Sequence, residues 1–284
     1  MASDTQKGTA LALIASAQWG ATGIWVALLR DLPTGTTLVF RFLTATLLLT
    51  VLLTLTRGFQ RPNSRTLYGG VLLGSYYILA TVGFYLSDVV SVSLLVSTSP
   101  FFVMLLRLLR RQPVAGREAL GGLLAFAGLA VVLLGGPATV AGGDEGRLIG
   151  DACGLGAALA MALYSQAGSR LQGQGWSVVL IGCVLGLLVS VPFASPATAV
   201  PDAGQWGLFL GLAAVSTLAP GYLYPLACQH ITPTSATVVR LSTPFFTALF
   251  AFLVLGAALG WHHLLGAPLL LAGVYLTLPR ERRG

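Results

Sequence analysis

Charge is what this chain has little of. Only 9% of its 284 residues are Asp, Glu, Lys or Arg, against roughly 25% in a soluble domain. So thin a supply cannot cover a water-facing surface, and a mean hydropathy of +0.83 makes lipid the solvent for most of the exterior. Acids are scarcer than bases, 9 against 16, and each lies in a loop, in a tail or at the end of an apolar run. Asp151, near the outer end of the sixth run, comes closest to the interior and is still shallow. Without a buried carboxylate to exchange a proton for a cation, proton-driven efflux of cationic drugs is disfavoured, and neutral, zwitterionic or anionic solutes are favoured. Cysteine is limited to Cys153, Cys183 and Cys228, none in a CxxC and none beside a histidine. A disulfide framework and a metal site are thereby excluded, and the three read as small packing residues. The sequence has no nucleotide loop, no metal-ligand cluster and no Ser-His-Asp set, so neither a cofactor nor an enzyme's machinery is expected. The net charge of +7 sits in short loops between apolar runs. It carries topological information and is no patch for nucleic acid.

What the chain has in abundance is long apolar runs. A membrane-spanning helix needs about 20 mostly apolar residues, and ten stretches qualify: 8–29, 36–56, 66–86, 89–109, 118–136, 148–168, 176–194, 205–228, 232–255 and 262–278. Short linkers such as Asp31-Leu32-Pro33 and Arg61-Pro62-Asn63 join them, leaving no room for a soluble domain. Loops on the amino-terminal side collect Lys7, Arg57, Arg61, Arg65, Arg107, Arg110, Arg111, Arg117, Arg170, Arg280, Arg282 and Arg283, while the opposite loops hold only Arg30 and Arg147. The positive-inside rule then places both termini in the cytoplasm, in the inner (plasma) membrane of a cell.

The two halves repeat each other. Thr98-Ser99-Pro100-Phe101-Phe102 returns as Ser242-Thr243-Pro244-Phe245-Phe246, and the glycine pair Gly121/Gly128 returns as Gly266/Gly273. Units of 1–140 and 147–284 follow, with Pro137 to Arg147 as the junction. Each unit holds five spans, an odd number, so the second copy enters the bilayer inverted. The expected fold is an all-α membrane protein of ten transmembrane helices in two inverted five-helix repeats around a central cavity.

Proline removes a backbone donor and crowds the carbonyl four residues back, here those of Val96 and Arg240. In lipid such a break is tolerated only where the freed group faces protein, water or ligand, so Pro100 and Pro244 mark a central site. Arg240 lies about 12 Å into the ninth span, where an arginine costs about 2.5–3.5 kcal/mol on insertion scales. It either lines a wet cavity and meets an anionic solute group, or snorkels to the cytoplasmic headgroups. Arg41, nearer the outer surface, is expected to snorkel or to pair with Asp31 or Asp88. Gln18, Trp19, Tyr77 and Tyr164 fall near mid-span, where a polar handle needs a partner, and are expected to wall the cavity. Ser93, Ser97, Pro100 and Met104 share one helical face and are expected to join them.

Gln18-Trp19-Gly20, the stretch Arg41-Phe42-Leu43-Thr44-Ala45, the proline-broken fourth and ninth spans and the two glycine-paired tails together resemble the EamA group of the drug/metabolite transporter superfamily. The family's Gly-Glu after the fourth and ninth spans is replaced here by Arg110-Arg111 and Gly256-Ala257. The resemblance implies a monomer or weak dimer in the lipid bilayer whose first, third, fourth, sixth, eighth and ninth helices surround the cavity. It also implies alternating access and export of small-molecule solutes such as amino acids. Two other readings stay open: a carrier of uncharged drugs or nucleosides, and a non-transporting membrane sensor or assembly subunit.

Overall fold

The computed structural model describes residues 2–29, 31–87, 89–134, 144–171, 173–194, 201–256 and 260–278. Arg30, Asp88, Ala257, Arg280, Arg282, Arg283 and the 137–143 part of the expected junction lie outside them. Among the described residues every regular element is helical. The first half runs α1 (Ala2–Gly20), α2 (Thr22–Leu28), α3 (Thr34–Leu55), α4 (Ser64–Leu86), α5 (Val89–Val96), α6 (Ser99–Leu109) and α7 (Gly116–Leu134). The second runs α8 (Asp144–Gly168), α9 (Gly175–Ser190), α10 (Ala203–Ala213), a π-turn at Ala214–Leu218, α11 (Ala219–Ala227), α12 (Pro233–Arg240), α13 (Thr243–Leu255) and α14 (Trp261–Thr277).

Local chemistry sets the starts. Asn63 caps α4 by accepting from the Thr66 amide, Asp202 caps α10 by accepting from Gln205, and Thr232 caps α12 just ahead of Pro233. Such side chains satisfy amides that the first helical turn leaves without partners. Among the described residues seven stretches are long and apolar enough to cross a bilayer: Gly35–Leu55, Ser64–Gly83, Val92–Leu109, Gly146–Gly168, Gly175–Phe193, Ala203–Ala227 and Pro233–Val254. Leu264–Thr277 is apolar but shorter. Large apolar side chains such as Leu55, Leu109, Leu148 and Leu264 point outward, which is stable only against lipid.

The glycine pairs have a packing role. On α7 and α14, Gly121 abuts Gly273 and Gly128 abuts Gly266 and Leu270, so the two helices run antiparallel with their backbones in contact. A Cβ on Gly128 would sit 2.5 Å from the Leu270 nitrogen, and one on Gly273 would sit 2.3 Å from that of Ala125. Small residues let membrane helices approach this closely and gain dispersion energy. The first glycine of each pair meets the second of the other, the reciprocity of a two-fold contact.

The same reciprocity runs through the bundle. α4 packs on α8 and α9, just as α10 and α11 pack on α3 and α1. α5 and α6 rest on α8, as α12 and α13 rest on α1. For these pairs, exchanging each first-half helix for its second-half counterpart returns another packed pair.

Candidate functional site

Both repeated proline motifs begin a half-helix. α5 stops at Val96, a turn occupies Ser97–Thr98, and Pro100 takes the second position of α6. In the second half α12 stops at Arg240, and Pro244 takes the second position of α13. The Val96 carbonyl, which Pro100 deprives of its helical donor, receives one from across the molecule. Arg240 Nη2 donates to it at 3.3 Å and to Ser99 Oγ at 3.1 Å. Nη1 donates to Tyr76 Oη at 3.3 Å, and the guanidinium carbon lies 5.5 Å from the Tyr76 ring centroid. Arg240 is 6% exposed. It neither snorkels nor meets a carboxylate among the described residues. In the alignment of the halves, Val96 is Arg240's own counterpart.

The eighth span obeys the same rule twice. Pro220 frees the Ser216 carbonyl, and Arg41 Nη2 donates to it at 3.2 Å while its Nε donates to Thr217 Oγ1 at 2.9 Å. Pro225 frees the Gly221 carbonyl, and the Tyr164 hydroxyl donates to it at 3.0 Å. Around the intervening π-turn, Tyr77 Oη donates to the Thr217 carbonyl at 3.2 Å, and Ser216 Oγ to the Gln18 carbonyl at 2.8 Å. Three carbonyls stranded by proline therefore each hold a side-chain donor from a distant helix. That arrangement is the condition for irregular backbone at membrane depth. π-turns inside helices are frequent at functional sites.

These anchors frame an aromatic cluster. The Trp19 ring lies 6.2 Å from Tyr76 and 5.4 Å from Tyr224, Tyr76 and Tyr77 are 5.5 Å apart, and Tyr164 stacks on Tyr224 at 6.3 Å. Gln18 Oε1, Trp19 Nε1, Arg240 Nε and Thr243 Oγ1 are buried without a hydrogen-bond partner. Native interiors leave few such atoms, and four of them lie on the elements that meet here. Gly20 lets α1 close on the second break: its Cβ would stand 2.9 Å from the Thr243 carbonyl, and Thr247 Oγ1 donates to the Gly20 carbonyl at 3.0 Å.

Of the residues expected from sequence, Gln18, Trp19, Tyr77, Tyr164 and Arg240 converge here, and Pro100 lies next to Ser99, an Arg240 partner. Ser97, in the turn after α5, spends its hydroxyl on the Ser93 carbonyl of α5 at 2.6 Å. Pro244 is half-buried at the α13 start and shapes the break. Met104 reaches Gly122 of α7, so the expected stripe along the fourth span does not all face inward. Arg41 turns into the bundle to hold the π-turn and makes no pair with Asp31. Tyr76 and Tyr224 join the cluster without having been selected from the sequence; their signal is adjacency, one helical step from Tyr77 and one turn from Pro220.

The EamA-like transporter family matches residues 6–134 and, a second time, 148–278. The chain belongs to the EamA-like transporter family. This EamA-like protein is similar to an uncharacterized transporter of Archaeoglobus fulgidus, 26% identical over 282 residues that cover 93% of this chain and 95% of the relative. A solved structure, described only as the crystal structure of a protein, superposes with a TM-score of 0.79 over 98% of this chain and 99% of its own, at 16% identity. That likeness concerns the fold alone. Family and relative place this EamA-like chain among multi-pass membrane transporters, not among enzymes.

Proposed function

We propose that this protein is a secondary transporter that exports small metabolites, amino acids or related solutes, across the inner membrane by alternating access. Units 1–140 and 147–284 form two inverted five-helix repeats with both termini cytoplasmic, and the protein works as a monomer or weak dimer. The antiparallel contact of α7 with α14 and the reciprocal helix pairings support the inversion. Gln18, Trp19, Tyr77, Ser97, Pro100, Tyr164, Arg240 and Pro244 are the proposed binding set, with Tyr76 and Tyr224 added by geometry.

One observation carries the reading. Arg240 is a buried cation held only by neutral acceptors, with Nε unpartnered beside an aromatic wall. A charge at that depth is stabilised by an opposite one, and a solute carboxylate supplies it while the rings of Trp19, Tyr76 and Tyr224 cover an apolar side chain. Rocking of the two halves about this fixed point would expose it to each side in turn.

Proteoliposomes test the idea. Wild type should carry labelled amino acids and reject the matching decarboxylated amines. Arg240→Gln should reduce flux at least tenfold, and Arg240→Lys should retain part of it. Equal flux by wild type and Arg240→Gln would remove the guanidinium from the site.

A further inference from the structure

A second cluster of arginines lies away from the central site, at the end of the bundle where the proposed topology puts the cytoplasm. Between the start of α4 and the ends of α6 and α8 is a cavity of about 140 Å³, lined by Arg65, Tyr68, Arg110, Gln166, Arg170 and Leu171. Arg110 Nη1 donates to Gln166 Oε1 at 2.7 Å, which fixes one guanidinium across the mouth. The Gln166 amide nitrogen is buried and has no partner. Among the described residues no carboxylate lines this space.

Nearby arginines are answered differently. Arg107 forms an ion pair with Glu118 at 2.8 Å, and Arg117 donates to the Tyr275 and Leu278 carbonyls at the end of α14. Helix carboxyl ends favour a cation one at a time, and the positive-inside rule favours many on this side. Neither effect brings three from different helices to one concavity, where they repel. A convergent set without an acid is stabilised by an external anion. Guanidinium forks match the oxygens of phosphate and of carboxylate bidentately, and the dianionic charge of a phosphate ester answers several guanidinium groups at once. A single water needs only about 10–15 Å³ of space counted this way, so the cavity has room for a phosphate.

We infer that the cleft between α4, α6 and α8 is a binding site for a phosphate-bearing anion, with Arg65, Arg110 and Arg170 as its cations and the free Gln166 amide as a further donor. The same chemistry has two sources, a soluble phosphate ester and the headgroup of an anionic lipid, which basic pockets between membrane helices are suited to hold. The inference does not depend on the transport reading, and a failed flux assay leaves it standing.

Purified full-length protein would be compared with Arg65→Gln/Arg170→Gln, whose side chains are exposed, and with Arg57→Gln/Arg61→Gln, an equal charge change in an exposed loop. Inorganic phosphate and glycerol phosphate are titrated by thermal shift in neutral detergent. Retention of phosphatidylglycerol against phosphatidylcholine is measured by native mass spectrometry. Wild type and the loop variant should agree within twofold, and the cleft variant should bind at least tenfold more weakly. Saturation by the soluble phosphates identifies a solute site; selective retention of phosphatidylglycerol alone identifies a lipid site. The inference is overturned if neither arm shows binding, or if the loop variant loses as much as the cleft variant.

Discussion

Gly273→Ala tests the helix seam most directly. The new methyl would lie 2.3 Å from the Ala125 nitrogen and 2.5 Å from the Gly121 carbonyl oxygen. Ordinary contact begins near 3.5 Å, so more than about 1 Å of separation is needed, and both obstacles are backbone that no rotamer can move. Overpacking of this kind costs about 1–3 kcal/mol. A gap of 0.5–1 Å along the crossing forfeits a further quarter to a half of each displaced contact. Against this stands the gain of about 1 kcal/mol from alanine over glycine inside a helix. The clash wins, and a net loss of about 2 kcal/mol is expected, readable as a shifted midpoint when purified protein in neutral micelles is titrated with denaturing detergent. Gly207→Ala, on a helix with nothing within 4 Å of the new methyl, is the control and should be neutral or slightly stabilising. Gly128→Ala should behave like Gly273→Ala. The double variant should cost less than the two losses added, because one separation of α7 from α14 relieves both clashes. If Gly273→Ala matches Gly207→Ala, the two backbones are not in contact and the seam is misplaced.

Other perturbations reach the breaks. Tyr164→Phe strips the donor from the Gly221 carbonyl and should destabilise by about 1–3 kcal/mol, the cost of a buried acceptor left unpaired; a loss below 0.5 kcal/mol in the same titration would contradict the clamp. Arg41→Gln should release the π-turn, seen as faster amide hydrogen exchange over 214–221 with α7 and α14 unchanged. Glu118→Gln weakens a partly exposed pair and should cost under about 1 kcal/mol, decreasing with added salt.

The helical segments were legible because lipid imposes a length and a polarity that few other environments demand, and the repeated glycines were legible because spacing survives duplication. The central aromatics could be selected because a mid-span indole or phenol needs a partner. The single stripe expected along the fourth span failed at Met104, which reaches α7, for a definite reason. A 3.6-residue period was carried through Ser97–Thr98, where the helix stops and restarts in a new phase. The partners of Arg41 lie some 175 residues away in sequence, and no residue type compels a π-turn, so neither the clamp nor the turn had a local signature. Arg240 was identifiable as a cost, but the carbonyl that accepts from it became visible only when the two breaks were seen side by side.

The unlike pair at the breaks, valine in one half and arginine in the other, has a kinetic meaning. If the carrier alternates as proposed, identical copies would make the inward- and outward-facing forms equivalent by a two-fold rotation and equal in energy, and the resting population would divide evenly between them. Under the proposed alternating access, a guanidinium spanning from the later copy to the earlier one would remove that degeneracy, and one facing would be the ground state of the empty carrier.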